Sequence, residues 1–117
     1  MKWQIIFYPE FDGEYDALAE DVRTELIASL TLLRSHGPFL GRPHADTLSG
    51  SKFANMKELR FYAENGVWRL AFAFDQSRKA IILVAGDKVG ISSDRFYRSL
   101  IAKADKRFAD HLAKSKE

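Results

Sequence analysis

The sequence predicts an α+β domain of element order βααβββα, an antiparallel meander packed on N-terminal helices and a C-terminal helix. Three observations carry that prediction. A helical stripe of apolar residues fills the first third. An Asn65-Gly66 pair separates two alternating segments. A wholly apolar run is followed by a second helical stripe. The 117 residues suit one domain, spanning 1–117.

Trp3 to Tyr8 is rich in β-formers and reads as a strand stopped by Pro9. From Asp12 to His36 the pattern is helical, with Val22, Leu26, Leu30 and Leu33 on one stripe and Ile27 widening it. One helix or two both fit. Asp21 can cap a second helix after a break near Ala19, and a continuous helix would give βαβββα instead. His36-Gly37-Pro38 stops the helix, because glycine takes a left-handed cap position and proline cannot continue. Phe39 to Asn55 reads as a loop from its Gly41, Pro43 and Gly50, and loops this long more often serve function.

Met56 to Tyr62 and Val67 to Asp75 are expected to form a hairpin, and Gln76-Ser77-Arg78 a second turn. Ala80 to Ala85 is apolar throughout, so this strand is expected to be covered on both faces. Ser92, Ser93 or Asp94 can cap the last helix, whose stripe is Phe96, Leu100, Ala104, Phe108 and Leu112, with Ile101 alongside.

There is no cysteine, which excludes disulfides and thiolate chemistry and fits a cytoplasmic setting. No long apolar run follows Lys2, and none is long enough to span a membrane, so neither a signal peptide nor a membrane partner is expected. The net charge of +2 does not by itself indicate nucleic acid. Its distribution is uneven. Acids crowd Glu10 to Glu25, whereas Arg60, Arg69, Lys88, Arg95, Arg98, Lys103, Lys106 and Arg107 lie in the C-terminal half. No metal-ligand spacing, phosphate-binding loop or nucleophile elbow occurs, so neither metal nor cofactor is expected. His36 reads as a helix-end residue, His44 as a loop residue available for proton transfer, and His111 as solvated.

With Asn65-Gly66 as a two-residue turn, Tyr62 falls opposite Arg69, Arg60 opposite Ala71 and Glu58 opposite Ala73. The other face carries Leu59, Phe61, Leu70 and Phe72. In this register Arg60 and Arg69 are diagonal neighbours above a floor of small alanines. Two adjacent guanidiniums repel unless an anion joins them, and a phosphate does so through paired hydrogen bonds. The competing reading is that Arg60 pairs with Glu58 or another carboxylate and Arg69 stacks on Tyr62. Lys88 ends the apolar strand, where antiparallel pairing brings it toward Arg69; a plain turn lysine beside Asp87 fits equally.

The order of parts and four segments resemble the RelE/ParE superfamily of toxins, in particular its HigB-type, phage Gp49-like branch. The segments are Leu48-Ser49-Gly50, Met56 to Phe61, Asn65 to Phe72 and Ala80 to Lys88, so the resemblance spans nearly the whole chain. It implies a RelE-like fold and a toxin of a type II toxin–antitoxin system. The implied activity is cleavage of mRNA, usually on the ribosome, by attack of a 2′-hydroxyl on the adjacent phosphate. That chemistry needs the phosphate held in line, its charge neutralised and protons moved. By the resemblance, Arg69 and Arg60 clamp the phosphate, and Lys88 stabilises charge or donates a proton. His44, Glu58, Asp87 and Tyr97 are the acid–base candidates, and Lys57 and Tyr62 the candidate RNA contacts. Glu58 stands where relatives carry a lysine, Asp87 replaces a second basic residue, and a longer loop displaces Tyr97 from the usual aromatic position. The implied partners are a helix-turn-helix, HigA-like antitoxin, the ribosome with its mRNA, and operator DNA through the antitoxin complex alone. The alternatives are a ParE-like gyrase inhibitor without nuclease chemistry and a degenerate toxin that only binds its antitoxin.

Overall fold

The computed structural model describes residues 2–115; Met1, Lys116 and Glu117, included in the single-domain reading, lie outside them. The elements are β1 (Gln4–Phe7), α1 (Pro9–Asp16), α2 (Glu20–His36), a 3₁₀ turn (Gly37–Phe39), β2 (Ala45–Thr47), β3 (Met56–Ala63), β4 (Gly66–Phe74), β5 (Lys79–Asp87) and α3 (Ser93–Ser115). The five strands lie in the order β1-β5-β4-β3-β2, with β1 parallel to β5 and every other pair antiparallel.

Two helices form between β1 and β2, as one of the two readings allowed, but their ends differ from expectation. Pro9 opens α1 rather than only closing β1, since its fixed φ suits the first helical turn. Ala19 is the N-cap of α2; Asp21 lies inside the first turn and its carboxylate accepts from the N–H of Val22. Gly37 ends α2 at φ +57, and a Cβ there would stand 2.1 Å from the Trp3 indole nitrogen, so glycine answers both backbone and packing. Ser92 caps α3, its hydroxyl accepting from the N–H of Arg95 at 3.2 Å.

The segment expected to be a plain loop contains β2, a three-residue edge strand paired to β3 with Asp46 opposite Glu58. The segment is also tied to α3. Buried Asp105 accepts from the Ser51 hydroxyl at 2.5 Å and the Lys52 N–H at 2.9 Å.

The β3–β4 register differs from expectation by two residues. The residues of positive φ are Glu64 (50°) and Asn65 (63°), so they form the turn and Gly66 opens β4. A two-residue shift preserves faces and changes partners. Arg60 is therefore directly opposite Arg69, Tyr62 opposite Val67, Glu58 opposite Ala71 and Leu59 opposite Leu70.

The sheet is covered on both sides. Leu59, Phe61, Leu70 and Phe72 are buried on one face, where α2 packs against β3. Helix α3 packs against β4 and β5 on the Arg69 face. Phe96, Leu100, Ala104 and Phe108 of its expected stripe are buried, Leu112 and Ile101 are partly buried, and β5 is buried from Ala80 to Val84. Ala71 and Ala73 are fully buried on the Arg69 face. They make room for α3 and are not an open floor for a ligand, which corrects the sequence reading. A bulge between β4 and β5 is served by Arg107, which donates to the Leu83 carbonyl at 2.7 Å and pairs with Glu14.

His111 is not solvated. It lies 2.9 Å from the Asp75 carboxylate and stacks on Phe108, joining α3 to the turn that Asp75 organises. His36 sits at the end of α2 as expected, its ring nitrogen 3.0 Å from the Leu32 carbonyl.

Candidate active site

Cross-strand register builds the cluster. Glu58 and Arg60 on β3, Arg69 on β4 and Asp46 on β2 share one face near the β2 edge, and α3 brings Tyr97 over them. Glu58 is 3% exposed and sits at the base. Its carboxylate accepts from the Tyr97 hydroxyl at 2.9 Å and from Arg60 Nε and Nη2 at 3.4 Å each, and Arg69 Nε lies 3.8 Å away. Arg69 Nε donates to the Tyr97 oxygen at 2.6 Å, and its guanidinium lies over the Phe96 and Tyr97 rings. The Arg60 side chain keeps 41% of its surface in solvent and reaches toward Asp46, which Arg42 holds at 3.0 Å.

Charge balance follows from this geometry. Hydrogen bonding to Glu58 and its field raise Arg60 above the ordinary guanidinium value, against partial burial. Burial first, then the hydrogen bond and field of Glu58, raise the Tyr97 hydroxyl, while Arg69 opposes them. Tyr97 thus remains a neutral donor to the carboxylate. Asp46 is lowered by the Thr47 N–H first and by Arg42 next. A groove of about 340 Å³ opens above the cluster, lined by Asp46, Thr47, Leu48, Ser49, Glu58, Arg60 and Tyr97.

Of the residues singled out in the sequence, Arg60, Arg69, Glu58 and Tyr97 come together, and Tyr97 arrives despite the longer loop before it. The competing pairing of Arg60 with Glu58 is present, but Arg69 stacks on Phe96 and Tyr97 instead of Tyr62. Tyr62 is 78% exposed one pair further along the hairpin. Lys88 follows β5 two positions beyond Gly86, which is opposite Arg69, and donates to Ser93 at 2.8 Å. His44 is exposed, and its carbonyl accepts from the Arg60 N–H. Asp87 pairs with Trp68 and Lys57 with Phe72, so both belong to the opposite face and are not brought to the cluster. Arg42 and Asp46 were missed. Their four-residue spacing is the one local signal, and it gains meaning only once β2 pairs with β3.

Among the described residues no three acidic, histidine or cysteine side chains gather as a metal site, and no helix is long and apolar enough to cross a membrane. The cluster can bind an anion through Arg60 and the groove, and can pass a proton along Tyr97 and Glu58.

Residues 14–109 match the family model described as "Phage derived protein Gp49-like (DUF891)". The chain is 40% identical over 109 residues to a Mycobacterium tuberculosis protein described as a candidate toxin, HigB3, covering 93% of each chain. It is 44% identical over 89 residues to a second such candidate, HigB2, covering 75% of this chain and 44% of that protein. A free-state structure of a mutant E. coli toxin RelE superposes with a TM-score of 0.61 at 17% identity, covering 92% of this chain and 98% of that one. The fold is that of RelE. The chain belongs to the phage-derived Gp49-like family and is a relative of the HigB-type toxins.

Proposed function

We propose that this toxin is an endoribonuclease that cuts mRNA on the ribosome, by attack of the substrate's own 2′-hydroxyl on the adjacent phosphate. One observation carries the reading: Arg60 and Arg69 face each other directly on the hairpin and converge on one carboxylate beneath an open groove. Three guanidiniums (Arg42, Arg60, Arg69) stand against two carboxylates (Asp46, Glu58), leaving positive charge for a phosphate. Arg60, the more exposed, meets the scissile phosphate. Arg69, locked by Tyr97, supports the charge that develops there. Glu58 takes the proton of the attacking hydroxyl through or beside Tyr97, and Lys88, the cation at the α3 end, gives a proton to the leaving 5′-oxygen. Metal and cofactor play no part in this reading.

The partners under this reading are the ribosome with its mRNA and a helix-turn-helix antitoxin, with operator DNA reached through the toxin–antitoxin complex. The deciding experiment adds purified protein to a translating ribosome system and maps mRNA ends. New ends bearing a cyclic phosphate and a free 5′-hydroxyl are expected, with cleavage reduced about a hundredfold in Arg69→Ala. Intact transcripts with an early stop in DNA synthesis would instead establish gyrase inhibition. Full cleavage by Arg69→Ala would remove the clamp.

A further inference from the structure

The outer face of α3 carries charge that the cleavage groove does not use. Arg95, Arg98, Lys103 and Lys106 are all exposed. Their side chains make no hydrogen bond or salt bridge among the described residues. At 100° per residue they fall within an arc of about 140°, opposite the buried stripe of Phe96, Leu100, Ala104 and Phe108. They span eleven steps, or about 16 Å at 1.5 Å per residue. Between them stand the small residues Ser99 and Ala102, which line a cleft of about 630 Å³ beside Lys103 and Lys106. Of the acidic neighbours at the far end, Asp110 accepts from Tyr8 and pairs with Lys114, and Glu14 pairs with Arg107, while Glu10 also lines the cleft beside Lys103 and Lys106.

We infer that this ridge docks on the phosphate backbone of double-stranded RNA, as a second contact separate from the cleavage groove. The choice of RNA rests on the nuclease reading above; the choice of a duplex backbone rests on the ridge itself. A protein partner calls for an apolar or aromatic centre, and between its cations this arc offers only the small residues Ser99 and Ala102. Single-stranded RNA calls for aromatic platforms, yet the aromatic residues of α3, Phe96, Tyr97 and Phe108, turn inward. Unpaired cations on a straight helix, with low residues between them, match a rigid row of phosphates. Arg98 follows Tyr97 in sequence but is turned about 100° from it around the helix, so the ridge is a surface apart from the cluster to which Tyr97 points. A contact there adds grip to a protein whose net charge is only +2.

The test is fluorescence anisotropy with a short labelled RNA duplex across a salt series. The ridge variant is Arg98→Glu/Lys103→Glu/Lys106→Glu; the control, Lys2→Glu/Arg23→Glu/Arg34→Glu, loses the same charge elsewhere. The ridge variant is expected to lose about tenfold or more in affinity, and its salt slope to fall by about one for each cation removed. The control is expected to stay within about twofold. Should the triple variant not fold, Lys103→Gln and Lys106→Gln ask the same question with neutral side chains. Arg60→Ala is expected to lose cleavage yet retain duplex binding, so failure of the nuclease reading is distinguishable from failure of the ridge. Undiminished binding by the ridge variant, equal loss in the control, or loss of binding in Arg60→Ala would each overturn the proposal. A DNA duplex or a single strand bound as tightly as duplex RNA would overturn it too.

Discussion

Replacing Glu58 with glutamine preserves side-chain size while removing the charge that holds the cluster. The carboxylate is 4% exposed, accepts from Tyr97 and twice from Arg60, and lies 3.8 Å from Arg69. Breaking a fully buried ion pair typically costs about 3–5 kcal/mol. The Arg60 half of the network is 41% exposed, so water replaces much of what is lost there, and that half contributes about 0–1 kcal/mol. Arg69 is 11% exposed but keeps the Tyr97 oxygen, the Val67 carbonyl and two aromatic faces. The expected net loss for Glu58→Gln is therefore about 2 kcal/mol. For a domain of this size that lowers the melting temperature by roughly 6–10 °C. Urea unfolding followed by tryptophan fluorescence measures the loss. Combining Glu58→Gln with Tyr97→Phe should cost less than the sum of the two, since they share one hydrogen bond. A Glu58→Gln variant within about 0.5 kcal/mol of the parent would show that the carboxylate does not hold the two arginines.

Two other outcomes are expected. Phe72→Ala, at a fully buried position on the α2 face, should cost about 3–5 kcal/mol in the same unfolding assay; a loss under about 1 kcal/mol would contradict the packing. Asp75 is pulled up by burial but held below the ordinary carboxyl value overall by His111 and the N–H groups of Lys79 and Ser77. Its contribution is therefore full above the unfolded value near pH ~4 and lost as pH falls through the lower folded value. Asp75→Asn should flatten the acid limb of the stability profile below that point, and an unchanged limb would deny the pairing.

The parts of the site that were legible in the sequence are those that local periodicity can place. Strand alternation put Glu58, Arg60 and Arg69 on one face and Phe72 on the other, and those assignments hold in the observed register. They hold because the error at the turn was two residues, which changes partners without exchanging faces. Asn-Gly is favoured at the centre of a type I′ turn, but Glu64 and Asn65 take the positive φ here. The observed register pairs Phe61 with Trp68, whose rings stack at 6.4 Å, and closes eight residue pairs between the strands. That cross-strand packing outweighs the turn preference of one dipeptide.

The rest of the cluster depends on contacts distant in the chain. Ala45-Asp46-Thr47 has no strand signature, and only the β3 edge makes it a strand. Tyr97 meets Glu58 across 39 positions, and Asp105 meets Ser51 across 54. Both Tyr97 and Asp105 lie on α3, whose stripe was read correctly while the polar residues beside that stripe had no visible partner. The two alanines read as a ligand floor illustrate the same point: their small size was informative, but what it admits is the helix. Docking of α3 thus completes the cluster in one step. It closes the alanine floor, carries Tyr97 to Arg69 and Glu58, and turns the basic arc outward. The proposed cleavage chemistry and the proposed RNA ridge consequently share a single structural dependence, the burial of Phe96, Leu100, Ala104 and Phe108 against β4 and β5.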